Sequence, residues 1–347
     1  MKRLILLVAV ALGACTQHHP EIDDFETVRE IADYEVIYAD RGFELQNIAA
    51  MKSLDGLLVL KLMNDTFHFA LVDPSRRELL CRFGRLGRGP GEYLAIGSRI
   101  SVRDSCLVFL DMARKEIVRL RLGEVLASPD APPAETERFP YTASFRPIDI
   151  APAQGVKIAV GAFPDSSLGM LDDNGEVLDV KIPYPFAYDG IEDIYKGAVY
   201  QSEIEVAKAG DRFVRRYFAS DLFEIYGIEN RSVRKIAASN CVHPPKLHYK
   251  PRPGIPYAID YEESVAGLLH MSVTDEGIYL SFSDESYARA ADNGLQSNEL
   301  LFFDWSGNPV VKYLLPIEIG PFCVDGDWLY AVRDRVEYPE ICRFALR

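Results

Sequence analysis

The sequence has little continuous hydrophobicity and no excess of positive charge. Leu4–Leu12 is its only uninterrupted run of nine apolar residues, about half the length that a membrane-spanning helix needs. The 347 residues include 38 Lys and Arg against 52 Asp and Glu, a formal net charge of −14. Nucleic-acid binding depends on clustered Lys and Arg that neutralise phosphates. The composition therefore argues against a nucleic-acid partner.

Motifs of common catalytic sites are also missing. No G-x-S-x-G, H-E-x-x-H or C-x-x-C occurs, and each of these spacings carries a specific chemistry. His243 and His248 lie five residues apart in a proline-containing loop, where an exposed pair without function is a better interpretation than a metal site. The sequence predicts no catalytic residue.

The sequence has only six cysteines, and an odd number of them remains when Cys15 is set aside. If Cys15 is modified as described below, five cysteines remain, which leaves at least one thiol unpaired. Most of them lie among apolar strand residues, so we predict buried, inert thiols; a single disulfide is the alternative. The five are Cys81, Cys106, Cys241, Cys323 and Cys342.

The N-terminus has the features of an export signal. Lys2 and Arg3 precede the apolar run, which ends in Leu12-Gly13-Ala14-Cys15, as in secretory signals. The segment around Cys15 resembles the lipobox of bacterial lipoproteins, in which the Cys becomes the lipidated first residue; an ordinary secretory signal is the alternative. We predict a signal peptide (1–14), a tether (15–33) and one folded domain (34–347), with the membrane contacted through the lipid only.

The second residue after cleavage refines the expected location. By resemblance to lipoprotein sorting, Thr16 rather than Asp at this position favours the outer membrane. Either its periplasmic or its outer face would fit. The predicted location is therefore the bacterial cell envelope, with the domain attached by lipid.

A repeated turn followed by a short apolar strand indicates the fold. Six copies are spaced 49 to 67 residues apart, and each is flanked by further short β-rich segments. Four short antiparallel strands per unit of about 50 residues are typical of a propeller blade. The six turns are Asp55-Gly56, Asp104-Ser105, Gln154-Gly155, Gly210-Asp211, Glu276-Gly277 and Gly326-Asp327.

The chain ends supply an independent argument for a closed ring. The last unit is one strand short at Arg347, while Tyr34–Ala39 is a strand without a unit of its own. If that early strand completes the last blade, no open sheet edge remains there. We predict an all-β, six-bladed propeller closed by an N-terminal strand; seven blades or a pair of β-sandwiches are the alternatives. The Pro-rich segment Cys241–Glu263 is predicted to be an insertion on one face.

One loop carries a family resemblance. After Phe83, the segment Gly84–Tyr93 resembles the F-G-x-x-G-x-G-x-G-E-[FY] motif of NHL-type propellers, and most of all that of TolB-like six-bladed propeller lipoproteins of the Bacteroidetes. The resemblance implies a propeller fold and an envelope location, but no activity. A phosphate-binding loop is disfavoured, since no Lys-Ser/Thr pair and no helix follow. The motif residues are Gly84, Gly87, Gly89, Pro90, Gly91, Glu92 and Tyr93.

Polar residues near the first strand of each unit are candidate binding residues. First strands line the channel of a propeller, and loops at its mouths often carry function. Some propeller lactonases hold calcium with such groups; here Asn47, Asp149, Glu203 and Asp325 would be the ligands, although hydration of the channel is the preferred explanation. The candidates are Asn47, Arg99, Arg146, Asp149, Glu203, His270 and Asp325, with Gln46 and Gln201 in similar positions.

Tyrosine-rich insertions form a second candidate surface. Tyr supplies rigid contact area at a low entropic cost, although these residues would equally suit packing of loops on the ring. We predict a non-catalytic module that binds a protein, peptide or glycan; a metal-dependent hydrolase or lactonase and a spacing scaffold are the alternatives. The tyrosines are Tyr184, Tyr188, Tyr195, Tyr200, Tyr249, Tyr257 and Tyr261.

Overall fold

The computed structural model describes most of the chain after residue 23. The described residues are 24–347 except 43, 46, 64–65, 98, 131–132, 134, 143, 164–165, 187–190, 192–194, 197–199, 250–256 and 335–337. The predicted signal peptide, Cys15 and Thr16 lie outside them, as do Gln46 and Tyr188.

Six antiparallel sheets of four principal strands form the domain, so the predicted six-bladed propeller is confirmed. The first two strands, β1 (Val28–Glu30) and β2 (Glu35–Ala39), join the last two blades. The first three blades contain β3 (Ile48–Leu54), β4 (Leu57–Leu62), β5 (Phe67–Asp73) and β6 (Glu78–Leu86), extended by β7 (Glu92–Tyr93); β8 (Ser101–Arg103), β9 (Cys106–Asp111), β10 (Glu116–Arg121) and β11 (Glu135–Arg138); and β12 (Arg146–Ala153), β13 (Val156–Ala162), β14 (Gly169–Asp172) and β15 (Val177–Leu178).

The last three blades follow the same order, with an extra hairpin between blades 4 and 5. They contain β16 (Ser202–Val206), β17 (Arg212–Tyr217), β18 (Phe223–Glu229) and β19 (Ser232–Ala238); the hairpin strands β20 (Leu247–Tyr249) and β21 (Tyr257–Ile259); β22 (Val265–Val273), β23 (Gly277–Ser286), β24 (Ser297–Asp304) and β25 (Pro309–Ile319); and β26 (Phe322–Asp325), β27 (Trp328–Arg333) and β28 (Glu340–Ala345). Two short helices among the described residues are α1 (Leu122–Ala127) and α2 (Tyr287–Asp292).

Alternation of side chains along each strand creates one apolar core between each pair of neighbouring blades. On β4, Leu58, Leu60 and Leu62 pack toward blade 6, while Val59 packs toward blade 2. Successive side chains of a strand point to opposite faces. A blade therefore buries both faces only when it has a neighbour on each side, which explains the closed ring.

Tight turns join the first two strands of the blades. Asp55 and Gly56 have φ values of 53° and 78°, and Asp104 and Ser105 have 51° and 56°. Two consecutive positive φ values are those of a type I′ turn, which matches the twist of antiparallel strands and favours Asp and Gly.

The N-terminal strand closes the ring as predicted. β2 pairs antiparallel with β28, Glu35 opposite Arg343 and Ala39 opposite Glu340, and Arg343 Nη2 lies 2.6 Å from Glu35 Oε2. Val28–Glu30, within the segment predicted as a tether, forms β1 and pairs parallel with β25 of blade 5.

Antiparallel pairing gives the ring two distinct faces. The turns between first and second strands lie on one face, here called the turn face. The segments that join one blade to the next lie on the opposite face, here called the connection face, with α2. The predicted insertion Cys241–Glu263 is on the connection face and includes β20 and β21.

Candidate functional site

Charged side chains converge where the six innermost strands meet. These strands contact one another in the order β3, β8, β12, β16, β22 and β26, and β26 returns to β3. Ionisable residues on these strands, on the second strands beside them or just before β8 form what is here called the channel cluster. Its members are Lys52, Lys61, Arg99, Asp149, Glu203, Glu205, Arg216 and His270.

Two ion pairs of the channel cluster cross the channel from one blade to another. Lys52 of blade 1 pairs with Glu205 of blade 4, the blade opposite in a ring of six. Arg99 Nη1 lies 2.8 Å from Glu203 Oε1, and Arg216 Nη2 lies 2.6 Å from Glu203 Oε2. The Lys52–Glu205 and Arg99–Glu203 pairs thus tie together blades that share no apolar core. The Arg216–Glu203 pair lies within blade 4, between the paired strands β16 and β17.

Two arginines share one aromatic ring beside these pairs. The guanidinium carbons of Arg99 and Arg216 lie 5.4 and 4.6 Å from the centre of the Phe218 ring, within the range of a cation–π contact. Arg216 Nη1 also donates to the Leu268 carbonyl at 2.6 Å. Arg216 is therefore held by a carboxylate, a carbonyl and a ring.

Burial shifts the titration of several groups in the channel cluster. It raises the pKa of Asp149 to about 7, against the opposing effect of Arg99 and aided by Glu203 and Glu205. Burial, with Arg99 nearby, lowers the pKa of Lys61 to about 8. Burial and the neighbouring Arg216 and Arg99 lower the pKa of His270 to about 3, so that His270 is neutral at pH 7.

The space left in the channel cluster is small. A recess lined by Lys52, Arg99, Glu203 and His270, together with apolar residues, has a volume of about 10 Å³, enough for roughly one water molecule. The charged groups around this recess already serve one another as partners. In this arrangement the recess admits a water or a small ion, not a larger organic ligand.

The predicted channel residues fall into two sets. Arg99, Glu203 and His270 line the recess, with Asp149 close enough to interact electrostatically with Arg99 and Glu203. The other three predicted residues, Asn47, Arg146 and Asp325, do not line this recess. Asn47 is exposed with a φ of 52°, Arg146 begins β12, and Asp325 accepts a 2.6 Å hydrogen bond from Ser53 at the turn face.

Sequence reasoning missed Lys52, Lys61, Glu205 and Arg216. A signal was present for Arg216, since Arg215 and Arg216 interrupt the apolar residues of β17, and a charge that is buried requires a partner. Arg215 is also buried, where it donates to Ser202 Oγ at 2.9 Å and Ser167 Oγ at 2.8 Å.

The two histidines considered for metal binding each lie beside a carboxylate. His243 Nδ1 lies 2.9 Å from Asp221 Oδ2, and His248 Nδ1 lies 3.5 Å from Asp260 Oδ2. Among the described residues, no three or more His, Cys, Asp and Glu side chains are grouped closely enough to hold a metal ion. The five described cysteines are free thiols, and burial raises the pKa of Cys323 and Cys342 to about 12.

The motif loop joins blade 1 to blade 2 as a compact unit. Glu92 Oε2 accepts a 2.7 Å hydrogen bond from the Gly89 amide, and β7 pairs parallel with the end of β6. Arg114 Nη2 donates to the carbonyls of Arg88 and Gly89 at 3.1 and 3.2 Å. A Cβ on Gly87 would meet the Glu92 carboxylate, so a larger residue there would displace that carboxylate from the Gly89 amide.

The tyrosine-rich insertions pack on the connection face and leave several rings accessible. Tyr184, Tyr200 and Tyr257 belong to an apolar cluster above blade 4. The ring of Tyr249 stacks edge-on against Tyr257 at 5.5 Å and remains 65% exposed. Some of the tyrosines therefore anchor the loops on the ring, whereas Tyr249 presents its ring outward.

Within the stretch that the structure describes, no helix has the length and apolarity needed to cross a bilayer. The predicted lipidation site, Cys15, is not in that stretch.

Comparison with known proteins supports the architecture. Residues 32–327 match the profile of a family described as TolB-like 6-blade propeller-like. A putative exported protein of Bacteroides fragilis is similar in structure, with a TM-score of 0.57 and 11% identity over 94% of this chain and 97% of that one. A member of the DUF4221 family from Bacteroides vulgatus is also similar, with a TM-score of 0.52 and 9% identity over 90% of this chain and 94% of that one. No curated protein is significantly similar in sequence.

Proposed function

The chain belongs to the family of TolB-like six-bladed propellers, and on this basis we propose that it is an exported, lipid-anchored module that binds a protein, peptide or glycan without catalysis. The observation that carries the proposal is the accessible aromatic surface of the connection face, together with a channel in which most of the charged groups pair with one another. Tyr249 is 65% exposed, and amphipathic rings of this kind are enriched in binding surfaces.

Binding on the connection face is tested by photocrosslinking in the native envelope. A photoreactive amino acid at Tyr249 should yield a crosslinked species, whereas the same group at Asp104, exposed on the turn face, should not. A specific crosslink at Tyr249 that is lost with Tyr257→Ala supports the proposal. Equal crosslinking at both positions, or none at either, contradicts it.

Export and lipid anchoring rest on the N-terminal sequence. The support for both is the signal-like segment ending in Cys15, together with the structural similarity to a Bacteroides fragilis protein described as exported. Metabolic labelling of cells that express the full sequence with radioactive palmitate should label the processed protein in the envelope fraction, and Cys15→Ala should abolish the label. An unlabelled wild-type protein would leave an ordinary secretory signal as the explanation.

A calcium-dependent hydrolase or lactonase is the alternative function. Of the four ligands predicted for it, only Asp149 and Glu203 lie near each other, whereas Asn47 and Asp325 lie elsewhere. Calorimetric titration with calcium separates the two functions. Stoichiometric binding that disappears with Asp149→Ala would favour the alternative.

A further inference from the structure

A stacked pair of tyrosines is held at the surface beside blade 5. The amide of Tyr287, the first residue of α2, donates to the Ser264 carbonyl at 2.8 Å, and the next amide donates to the Tyr261 carbonyl at 2.9 Å. These bonds fix α2 against the turn at 260–264. The rings of Tyr261 and Tyr287 stack with centres 4.6 Å apart, and Tyr261 is 47% exposed. The pair is a rigid platform, because both backbones are tied together.

Carboxylates flank this platform on both sides in the sequence. Glu262 and Glu263 follow Tyr261, and both are exposed. Asp260 Oδ1 accepts their amide hydrogens and holds the turn. Asp284 is exposed just before α2. No Lys, Arg or His of the described residues lies within ion-pair distance of these three carboxylates. Arg289, the one base on α2, lies 3.5 Å from Glu285.

From this geometry we propose that the Tyr261–Tyr287 platform and its flanking carboxylates bind a basic polypeptide segment, with a Lys or Arg side chain over the exposed ring. The proposal rests on the proposed binding function and specifies its partner. Aromatic faces attract cations, and Arg in particular stacks on them. The chain's net charge of −14 adds long-range attraction for a basic partner and opposes an acidic one.

The test uses a fluorescein-labelled oligo-arginine peptide and the folded chain, followed by fluorescence anisotropy at physiological salt. An exposed cation–π contact corresponds to an affinity change of about 2- to 5-fold, so Tyr261→Ala should weaken binding by about that factor. Tyr261→Phe, which retains the ring, should bind like the wild type. The double variant Glu262→Gln/Glu263→Gln should weaken binding to a similar extent.

General attraction to an acidic protein is controlled on the opposite face. The double variant Asp55→Asn/Asp104→Asn also removes two negative charges, but from exposed turns of the turn face, where Asn tolerates the positive φ. If this control weakens binding as much as the glutamate variant does, or if Tyr261→Ala has no effect, the proposal is wrong. Circular dichroism confirms that each variant is folded.

The binding function and the basic-partner proposal can fail separately. If oligo-arginine does not bind but a partner is crosslinked at Tyr249, the binding function stands and the basic-partner proposal is overturned. If the peptide binds by way of Tyr261 and nothing is crosslinked at Tyr249, the basic-partner proposal stands and the Tyr249 surface is not the contact.

Discussion

Replacing Asp149 by Asn removes a buried carboxyl group and keeps a side chain of nearly the same shape. Asp149 is 6% exposed, and none of the described residues forms an ion pair with it. Burial raises its pKa from 3.8 to about 7, assisted by the negative charges of Glu203 and Glu205. The folded protein therefore resists ionisation of this group, whereas the unfolded chain does not.

The direction of the pH effect follows from that difference. Because the folded-state pKa lies above the unfolded value, the contribution of Asp149 to stability is fully present below pH 3.8 and is lost as the pH rises through about 7. Between pH 5 and pH 8 the wild type loses about two pKa units of this contribution, or about 3 kcal/mol. The Asp149→Asn variant has no such loss.

Urea unfolding followed by circular dichroism at pH 5 and pH 8 measures the effect. The free energy of unfolding of Asp149→Asn, minus that of the wild type, should be about 3 kcal/mol higher at pH 8 than at pH 5. Any fixed effect of the substitution cancels in this comparison. Asp104→Asn, at an exposed turn, is the control and should show the same relative stability at both pH values. A relative stability of Asp149→Asn that is also equal at the two pH values would refute the reasoning.

Three further predictions concern the ring and its channel. Glu203→Gln leaves two arginines without their carboxylate and should lower the free energy of unfolding by about 3 to 5 kcal/mol; a loss below about 1 kcal/mol in urea unfolding would contradict the assigned pairing. A chain starting at residue 48 lacks β2 and should be insoluble or melt far below one that starts at residue 32, as measured by thermal circular dichroism; equal melting would show that ring closure adds no stability. Gly87→Ala should lower the melting temperature, whereas Gly123→Ala, in the open first turn of α1, should leave it unchanged or raise it, because Ala favours helix; the reverse order would exclude the displacement of Glu92 described for the motif loop.

The blade number was predictable because its determinants are local. The Asp-Gly turns and the alternation on strands such as Leu57–Leu62 depend on a few consecutive residues. The strand lengths were less predictable. Val265–Val273 and Pro309–Ile319 extend beyond the apolar stretches that mark them, since pairing with a neighbouring strand decides where a strand ends.

The channel was predictable only in part. The first strands of the blades could be identified, and with them Arg99, Glu203 and His270. Their partners could not, because Lys52 and Glu205 are 153 positions apart in the chain and no local pattern connects them. A polar residue near the axis looks the same in sequence whether it faces solvent or an opposite charge.

The sequence by itself determined the strands, their grouping into six units and the early segment that closes the ring, since backbone conformation and two-sided burial are encoded in short-range patterns. Only the tertiary structure decided which charges meet across the channel and that Tyr261 and Tyr287 stack at the surface. Those contacts join residues brought together by closure of the ring and packing of the connections, and their energies depend on distances and burial that exist only once the chain has folded.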